Sequence, residues 1–258
     1  MDPLVRCRGC SLVLLNPRVR EDVIVKSYAS AVDPAFFQQN PNRIRTFTRL
    51  FKKVLRAIGK EGQASLRVLD VGCAGGAFPK AAADLGSSVI GIEPSAWLCE
   101  QGKEHYGLDL RPGLLTEQQL PDKSFDIVTM WDVLEHLTQP GENLDEIHRL
   151  LKPHGTLVVS TPDYDSLARK FLRDTWPFYL NVHLFYFTRR TLAALLKKHG
   201  FELTAQFPLW QTLEFGYVLK RALAYFPVMA PMEGVLRPIR KMPITYQMGQ
   251  TVFIGTKS

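Results

Sequence analysis

The chain has 258 residues, 46% hydrophobic and 22% charged, which is enough to bury one substantial core with modest appendages. No run approaches the roughly 18 uncharged apolar residues of a membrane-spanning helix; the best candidate, Ala222 to Met232, is hemmed by Arg221 and Glu233, and MDPLVRCRGC lacks the apolar core of a secretory signal. The net charge of +7 is concentrated at the start, since residues 1–60 hold twelve Lys/Arg against four Asp/Glu and the remainder sums to −1.

A cytoplasmic protein is expected, with its four cysteines reduced. Cys7 and Cys10 form one CxxC knuckle, half of the four ligands a structural zinc needs, so no metal is assigned there. Residues 1–40 read as an N-terminal arm. Its basic residues and those just beyond it read as solvated helix faces in preference to a surface for an anionic partner such as lipid headgroups, a phosphorylated substrate or nucleic acid, and no nucleic-acid partner is expected.

The segment RIRTFTRLFKKVLRAIGK puts Ile44, Phe47, Leu50, Phe51, Val54, Leu55 and Ile58 on one side and most of its basic residues on the other. This spacing predicts an amphipathic helix ending at Gly59. From residue 66 the pattern changes to short apolar runs: LRVLDVG, SSVIGIE, LDLRP, FDIVTMW, GTLVVST, FELTAQF and QTVFIGT. Helical windows lie between them, at about 77–85, 95–104 and 141–151. Such alternation requires crossover connections and so predicts an α/β fold, a seven-stranded, mostly parallel Rossmann-like sheet with helices on both faces. The domain spans 41–258, with substrate-side insertions at 162–187 and 208–245.

Candidate chemistry begins in VLDVGCAGGAF, where a strand ends at Asp70 and turns through Gly72, Ala74 and Gly76 into a helix. Small residues suit a sharp turn that lets a ligand approach the backbone. The next strand ends in Glu93, 21 residues after Gly72, where a carboxylate can accept hydrogen bonds from both hydroxyls of a ribose. Dinucleotide-dependent oxidoreductases share this arrangement, so these residues alone leave the nucleoside open. In WDVLEHL, a helical turn would present Asp132, Glu135 and His136 together; His183 in NVHLFYFT is a second base candidate.

The ordered motifs VLDVGCAGG, IGIEPS, LPDKSFDIVTMWDVLEHL, LLKPHGTLVVSTPD and HLFYFTRRTLAALLKKHGF resemble the class I S-adenosylmethionine-dependent methyltransferases, in the branch that includes the ubiquinone-biosynthesis O-methyltransferases. The resemblance covers roughly residues 66–201 and implies a sheet whose last strand is antiparallel. It implies S-adenosylmethionine as cofactor, with Asp70 and Gly72 by the methionine part, Glu93 on the ribose and Trp131 lining the pocket from the loop after the fourth strand. Arg43 falls near an arginine that some relatives place on the cofactor carboxylate. Alanine at 74, where relatives carry glycine, is tolerable with a negative φ. Leu114 and Leu115 stand where relatives place an aspartate for adenine.

The resemblance further implies methylation of an oxygen on a small-molecule, sugar or lipid-like acceptor. The rivals are a non-catalytic cofactor-binding module and an NAD-dependent oxidoreductase. For Asp132, Glu135 and His136 the choice is between bracing the loop and direct function, whose sharper form is magnesium held by all three. Residues 215–241 read as a cap over the acceptor pocket, with peripheral membrane contact as the alternative. CRGCSLVLLNPR resembles the second half of a small zinc ribbon found in some relatives.

Overall fold

The computed structural model describes residues 3–225 and 237–258. A hairpin of β1 (Leu4–Arg6) and β2 (Val13–Leu15) is followed by α1 (Glu21–Ala29), α2 (Pro34–Phe37) and α3 (Asn40–Ala57), the amphipathic segment. The alternating part then runs β3 (Arg67–Val71), α4 (Ala77–Ala83), β4 (Ser88–Glu93), α5 (Ala96–Tyr106), β5 (Asp109–Pro112), β6 (Phe125–Trp131), α6 (Pro140–Leu150) and β7 (Leu151–Pro162). After α7 (Leu167–Leu172) and β8 (Phe185–Tyr186) come α8 (Arg189–Lys198), β9 (Phe201–Pro208), β10 (Gln211–Glu214), α9 (Phe215–Tyr225), β11 (Pro243–Tyr246) and β12 (Gln250–Lys257).

Seven strands form one sheet in the order β5-β4-β3-β6-β7-β12-β9. Strands β3 to β7 pair in parallel, whereas β12 is antiparallel to both of its neighbours. The period-2 alternation of the strands divides the core in two. Leu69, Val128, Val159 and Phe253 pack with α6 and α8 on one face. Val68, Ile127, Val158 and Ile254 meet Phe51, Val54 and Phe78 of α3 and α4 on the other. The chain enters the sheet at β3 and builds outward in both directions, so the order reverses between β3 and β6. A crevice at the strands' carboxyl ends follows from that reversal.

The N-terminal arm does not stand apart from the domain. β2 pairs with β8, which lies inside the 162–187 insertion, and Val13 shares a small core with Tyr164, Trp176 and Tyr186. The apolar runs at both sites are too short to stand out from loop sequence. In the 208–245 insertion, β10 pairs with β11 and is tied to α3 by Thr212 N donating to Thr46 Oγ1 at 2.8 Å. Residues 226–236, which include Phe226 of the expected cap, lie outside the described residues.

Candidate active site

A cavity of about 640 Å3 opens at the carboxyl ends of β3, β4 and β6. Its floor is the turn after β3. Gly72 N and Cys73 N both donate to Ile92 O, at 2.8 and 3.0 Å, which hooks the turn onto β4. Gly72 has φ 71°, and a Cβ there would lie 2.4 Å from Val133 Cγ2, so glycine is required twice over. Ala74 corrects the expectation of a negative φ, because it adopts φ 47°. The left-handed conformation is disfavoured for alanine by about 1–2 kcal/mol, and it is held in place by its N–H, which donates to Glu93 Oε2 at 3.0 Å.

Glu93 ends β4 with its carboxylate nearly buried on the cavity wall. Oε1 accepts from Ser95 N at 3.0 Å and Oε2 from Ala74 N, so each oxygen keeps one acceptor site. Burial raises its pKa, against the lowering effects of these two N–H groups and of the Arg43 charge. Arg43 also lines the cavity, lying 4.1 Å over the Phe36 ring and donating to Asn40 Oδ1 at 3.2 Å. Asn40 in turn donates to Gly75 O at 2.9 Å, which joins α3 to the turn.

Two of the expected cofactor residues do not reach the cavity. Asp70 is 1% exposed and accepts from Thr129 Oγ1 at 2.6 Å, bridging β3 to β6, and burial pushes its carboxyl up to about 8. Gly76 has φ 78° and faces Leu108, whose Cδ1 would lie 2.7 Å from an added Cβ. Trp131 lines the cavity, but as the last residue of β6 and not from a loop, wedged between the rings of Phe47 and Phe78 at 5.2 and 5.1 Å.

The loop after β6 does not bring Asp132, Glu135 and His136 together as a helical turn would. Asp132 takes φ 57°, which breaks the helical path, and only Leu134–His136 form a 3-10 turn. The Asp132 carboxylate is drawn away by Ser160 Oγ, donating at 2.8 Å, and by Gln250 Nε2. Burial pushes it up to about 6 despite these bonds and the Arg43 charge.

Glu135 instead groups with His136 and His183, whose side-chain ligand atoms all lie within 4.8 Å of one another. Glu135 is fully buried, and neither carboxylate oxygen has a hydrogen-bond partner among the described residues. Its pKa is raised by burial and then by the Asp132 charge, against a lowering effect of the neighbouring Thr161 hydroxyl, which lies outside hydrogen-bond geometry. The tautomers of the two imidazoles follow from carbonyl acceptors: His183 Nδ1 faces Phe178 O at 2.8 Å, and His136 Nδ1 faces Val182 O at 2.9 Å as well as the Tyr28 hydroxyl at 2.8 Å; a carbonyl only accepts, so both Nδ1 atoms carry the proton, the Tyr28 oxygen shares that of His136, and each Nε2 keeps a lone pair. Burial lowers His136 to about 4 and His183 to about 3, leaving both neutral near pH 7.

A glycine turn hooked to a strand-end carboxylate, facing a base-lined cavity, narrows the choice of fold family without naming it. A family model described as a methyltransferase domain matches residues 42–206, more than half of the chain. The chain belongs to the class I S-adenosylmethionine-dependent methyltransferases. Membership implies S-adenosylmethionine as the cofactor.

Among curated relatives, this chain is 35% identical over 138 residues to a mitochondrial ubiquinone biosynthesis O-methyltransferase of Schizosaccharomyces pombe, covering 50% of this chain and 48% of that one. It is 39% identical over 101 residues to a ubiquinone biosynthesis O-methyltransferase of Rhodopseudomonas palustris, covering 37% and 40%. The chain thus spans about half the length of the curated relatives it matches. By fold it is similar to the YcgJ protein of Bacillus subtilis, with TM-score 0.59, 17% identity and coverage of 83% and 98% of the two chains. It is also similar to the [4+2]-cyclase SpnF, with TM-score 0.55, 23% identity and 81% coverage of each.

The cavity also has walls that the sequence does not announce. Ile24, Val25 and Tyr28 come from α1, and Tyr246 and Gln250 from the far end of the chain, whereas Tyr217 lies in the 215–241 segment expected to line the acceptor pocket. Tyr28 OH lies 2.8 Å from His136 Nδ1, pinning α1 over the cavity. Nothing in their spacing marks these residues, because each contributes a single side chain from an element positioned by tertiary packing. Among the described residues, no helix is long and apolar enough to cross a membrane.

Proposed function

We propose that this chain transfers a methyl group from S-adenosylmethionine to an oxygen of a small, largely apolar acceptor. The observation supporting this is that one cavity joins Glu93 and the Gly72 turn on one side to Asp132, His136 and His183 on the other. When bound, the cofactor supplies an electrophilic methyl on a sulfonium, with a neutral thioether as leaving group. The chain's own residues then have to align the nucleophile and take its proton.

The residues fit that cofactor. Each Glu93 oxygen has an acceptor site left for a ribose hydroxyl, and Ile92, Leu98, Leu114 and Leu115 offer an apolar wall beside it for an adenine. On the acceptor side, Tyr28, Phe178 and Leu180 form an apolar surface closed by α9 residues Tyr217 and Arg221, in keeping with a cap. Asp132 borders the cavity, with its carboxyl raised to about 6 by burial against the opposing Arg43 charge and its hydrogen bonds from Ser160 and Gln250.

A second reading adds a metal, and it is favoured by one observation: the Glu135 carboxylate, without a hydrogen-bond partner among the described residues, beside the imidazoles of His136 and His183. Two nitrogens and one oxygen suit zinc, manganese or iron(II) better than magnesium, which prefers oxygen ligands. Asp132 is not in this ligand set, being committed to Ser160 and Gln250. A divalent ion held by Glu135, His136 and His183 would lower the pKa of an acceptor hydroxyl.

The test is isothermal calorimetry with S-adenosylhomocysteine and with NAD, followed by tritiated methyl transfer to phenols, aliphatic alcohols, amines and thiols. Binding of the homocysteine nucleoside and labelling of the phenols are expected. Binding without turnover on any acceptor would favour a non-catalytic module, and NAD binding would favour an oxidoreductase.

A further inference from the structure

Gln250 opens β12 as a polar residue on a strand that otherwise buries Val252, Phe253 and Ile254, and it is itself only 3% exposed. Its side-chain amide is engaged at both ends. Nε2 donates to Asp132 Oδ2, and Oε1 accepts from Gln211 Nε2 at 2.5 Å. An ionised carboxylate only accepts, so Asp132 fixes which end of the Gln250 amide faces it, and the amide oxygen must then face Gln211. The main chain of Gln250 is fixed as well, its oxygen accepting from Leu209 N at 3.0 Å and Gln247 Nε2 at 3.1 Å.

Asp132 is held from the other side by β7. Its N–H meets Ser160 Oγ at 3.0 Å and Ser160 O at 3.1 Å, while Ser160 Oγ donates to Oδ1 at 2.8 Å. The left-handed backbone at Asp132, a conformation that aspartate tolerates better than most side chains, breaks the strand direction where the residue meets the cavity wall. Each oxygen accepts one protein hydrogen bond and keeps one acceptor site. Asp132, Gln211 and Gln250 all border the cavity.

We propose that Asp132 takes the proton of the acceptor hydroxyl and that Gln250 is its positioning residue, a role that rests on the oxygen-methylation reading given above. The acceptor oxygen bonds to the methyl carbon as the carbon–sulfur electron pair returns to sulfur. The oxygen's proton passes to Asp132, which releases it to solvent after product leaves. The charged and titratable groups facing Asp132 are Arg43 from α3, which favours its ionised form, Glu135 from its own loop, and Tyr246 from β11. The Gln250 N–H favours the ionised form too.

The experiment pairs a titration that needs no turnover with kinetics. The Asp132 carboxyl is followed by 13C NMR in the wild-type chain and in Gln250→Met, and assigned with Asp132→Asn. Methyl transfer to catechol is measured on the same proteins. The wild-type midpoint is expected near 6. In Gln250→Met it should rise by about one pH unit, with kcat about tenfold lower, its acid limb displaced equally, and KM for S-adenosylmethionine within twofold.

Gln211→Met, which frees the Gln250 amide without touching Asp132, should move the midpoint less and in the same direction, and it serves if Gln250→Met fails to fold. An unmoved midpoint in both variants overturns the positioning role. Undiminished kcat in Asp132→Asn overturns the proton-accepting role. A wild-type chain that methylates nothing and binds no S-adenosylhomocysteine sinks the function itself and with it the proton transfer, whereas the titration still decides the coupling of Gln250 to Asp132.

Discussion

Replacing Glu93 perturbs both the nucleoside site and the turn beneath it. Its carboxylate accepts two backbone N–H bonds, from Ala74 and Ser95, and is proposed to accept from the ribose with what remains. Glu93→Ala removes charge-assisted hydrogen bonds worth about 1.5–3 kcal/mol to the ligand, or roughly ten- to hundredfold in Kd. It also leaves two N–H donors of a nearly buried turn without their acceptor, at about 1–3 kcal/mol each where water cannot replace it.

Glu93→Gln is not the milder change it resembles. An amide has one accepting oxygen, so its NH2 would face either Ala74 N–H or Ser95 N–H, donor against donor. Both variants should therefore weaken S-adenosylhomocysteine binding in calorimetry and lower the Tm, with Gln recovering little of the loss. Either variant binding within threefold of wild type would refute the reasoning.

Four further outcomes are expected. His183→Gln isolates one linkage: the folded pKa of His183 lies far below its unfolded value of about 6.5, so as pH falls through 6.5 the unfolded chain takes up a proton that the folded chain does not. The wild type should lose stability relative to the variant below pH 6.5, by up to about 1.4 kcal/mol per pH unit, and parallel Tm curves from pH 7.5 to 5 would contradict this. Trp131→Phe keeps a ring between Phe47 and Phe78 while deleting an indole N–H buried without a partner among the described residues. It should change Tm by no more than about 3 °C. Phe78→Ala, at a side chain 1% exposed, should cost about 3–5 kcal/mol by denaturant titration. If a metal takes part, inductively coupled plasma analysis of the purified chain should find zinc, manganese or iron that is lost in Glu135→Ala, together with chelator-sensitive turnover.

The sheet was legible because its signal is repeated and local. Each strand is a short apolar run, each crossover a helical window, and the two periodicities differ along the chain. Glu93 and Gly72 were legible for a related reason, since they sit at strand ends whose positions the pattern fixes. The separation of Asp132 from Glu135 and His136 was not: it is set by a left-handed residue at 132 and by partners of Asp132 on β7 and β12, none of which the spacing contains. The same limit hid α1 as a wall of the cavity and the pairing of β2 with β8. Asp70 shows the opposite case, a residue implied by resemblance whose carboxylate bonds Thr129 and stays out of the cavity.

The most direct measurement is a crystal structure of the chain grown with S-adenosylhomocysteine. Both ribose hydroxyls should lie within hydrogen-bond distance of Glu93, with the sulfur above Gly72 and facing Asp132. A nucleoside bound anywhere else, with Glu93 left on its two backbone N–H groups alone, would contradict this assignment.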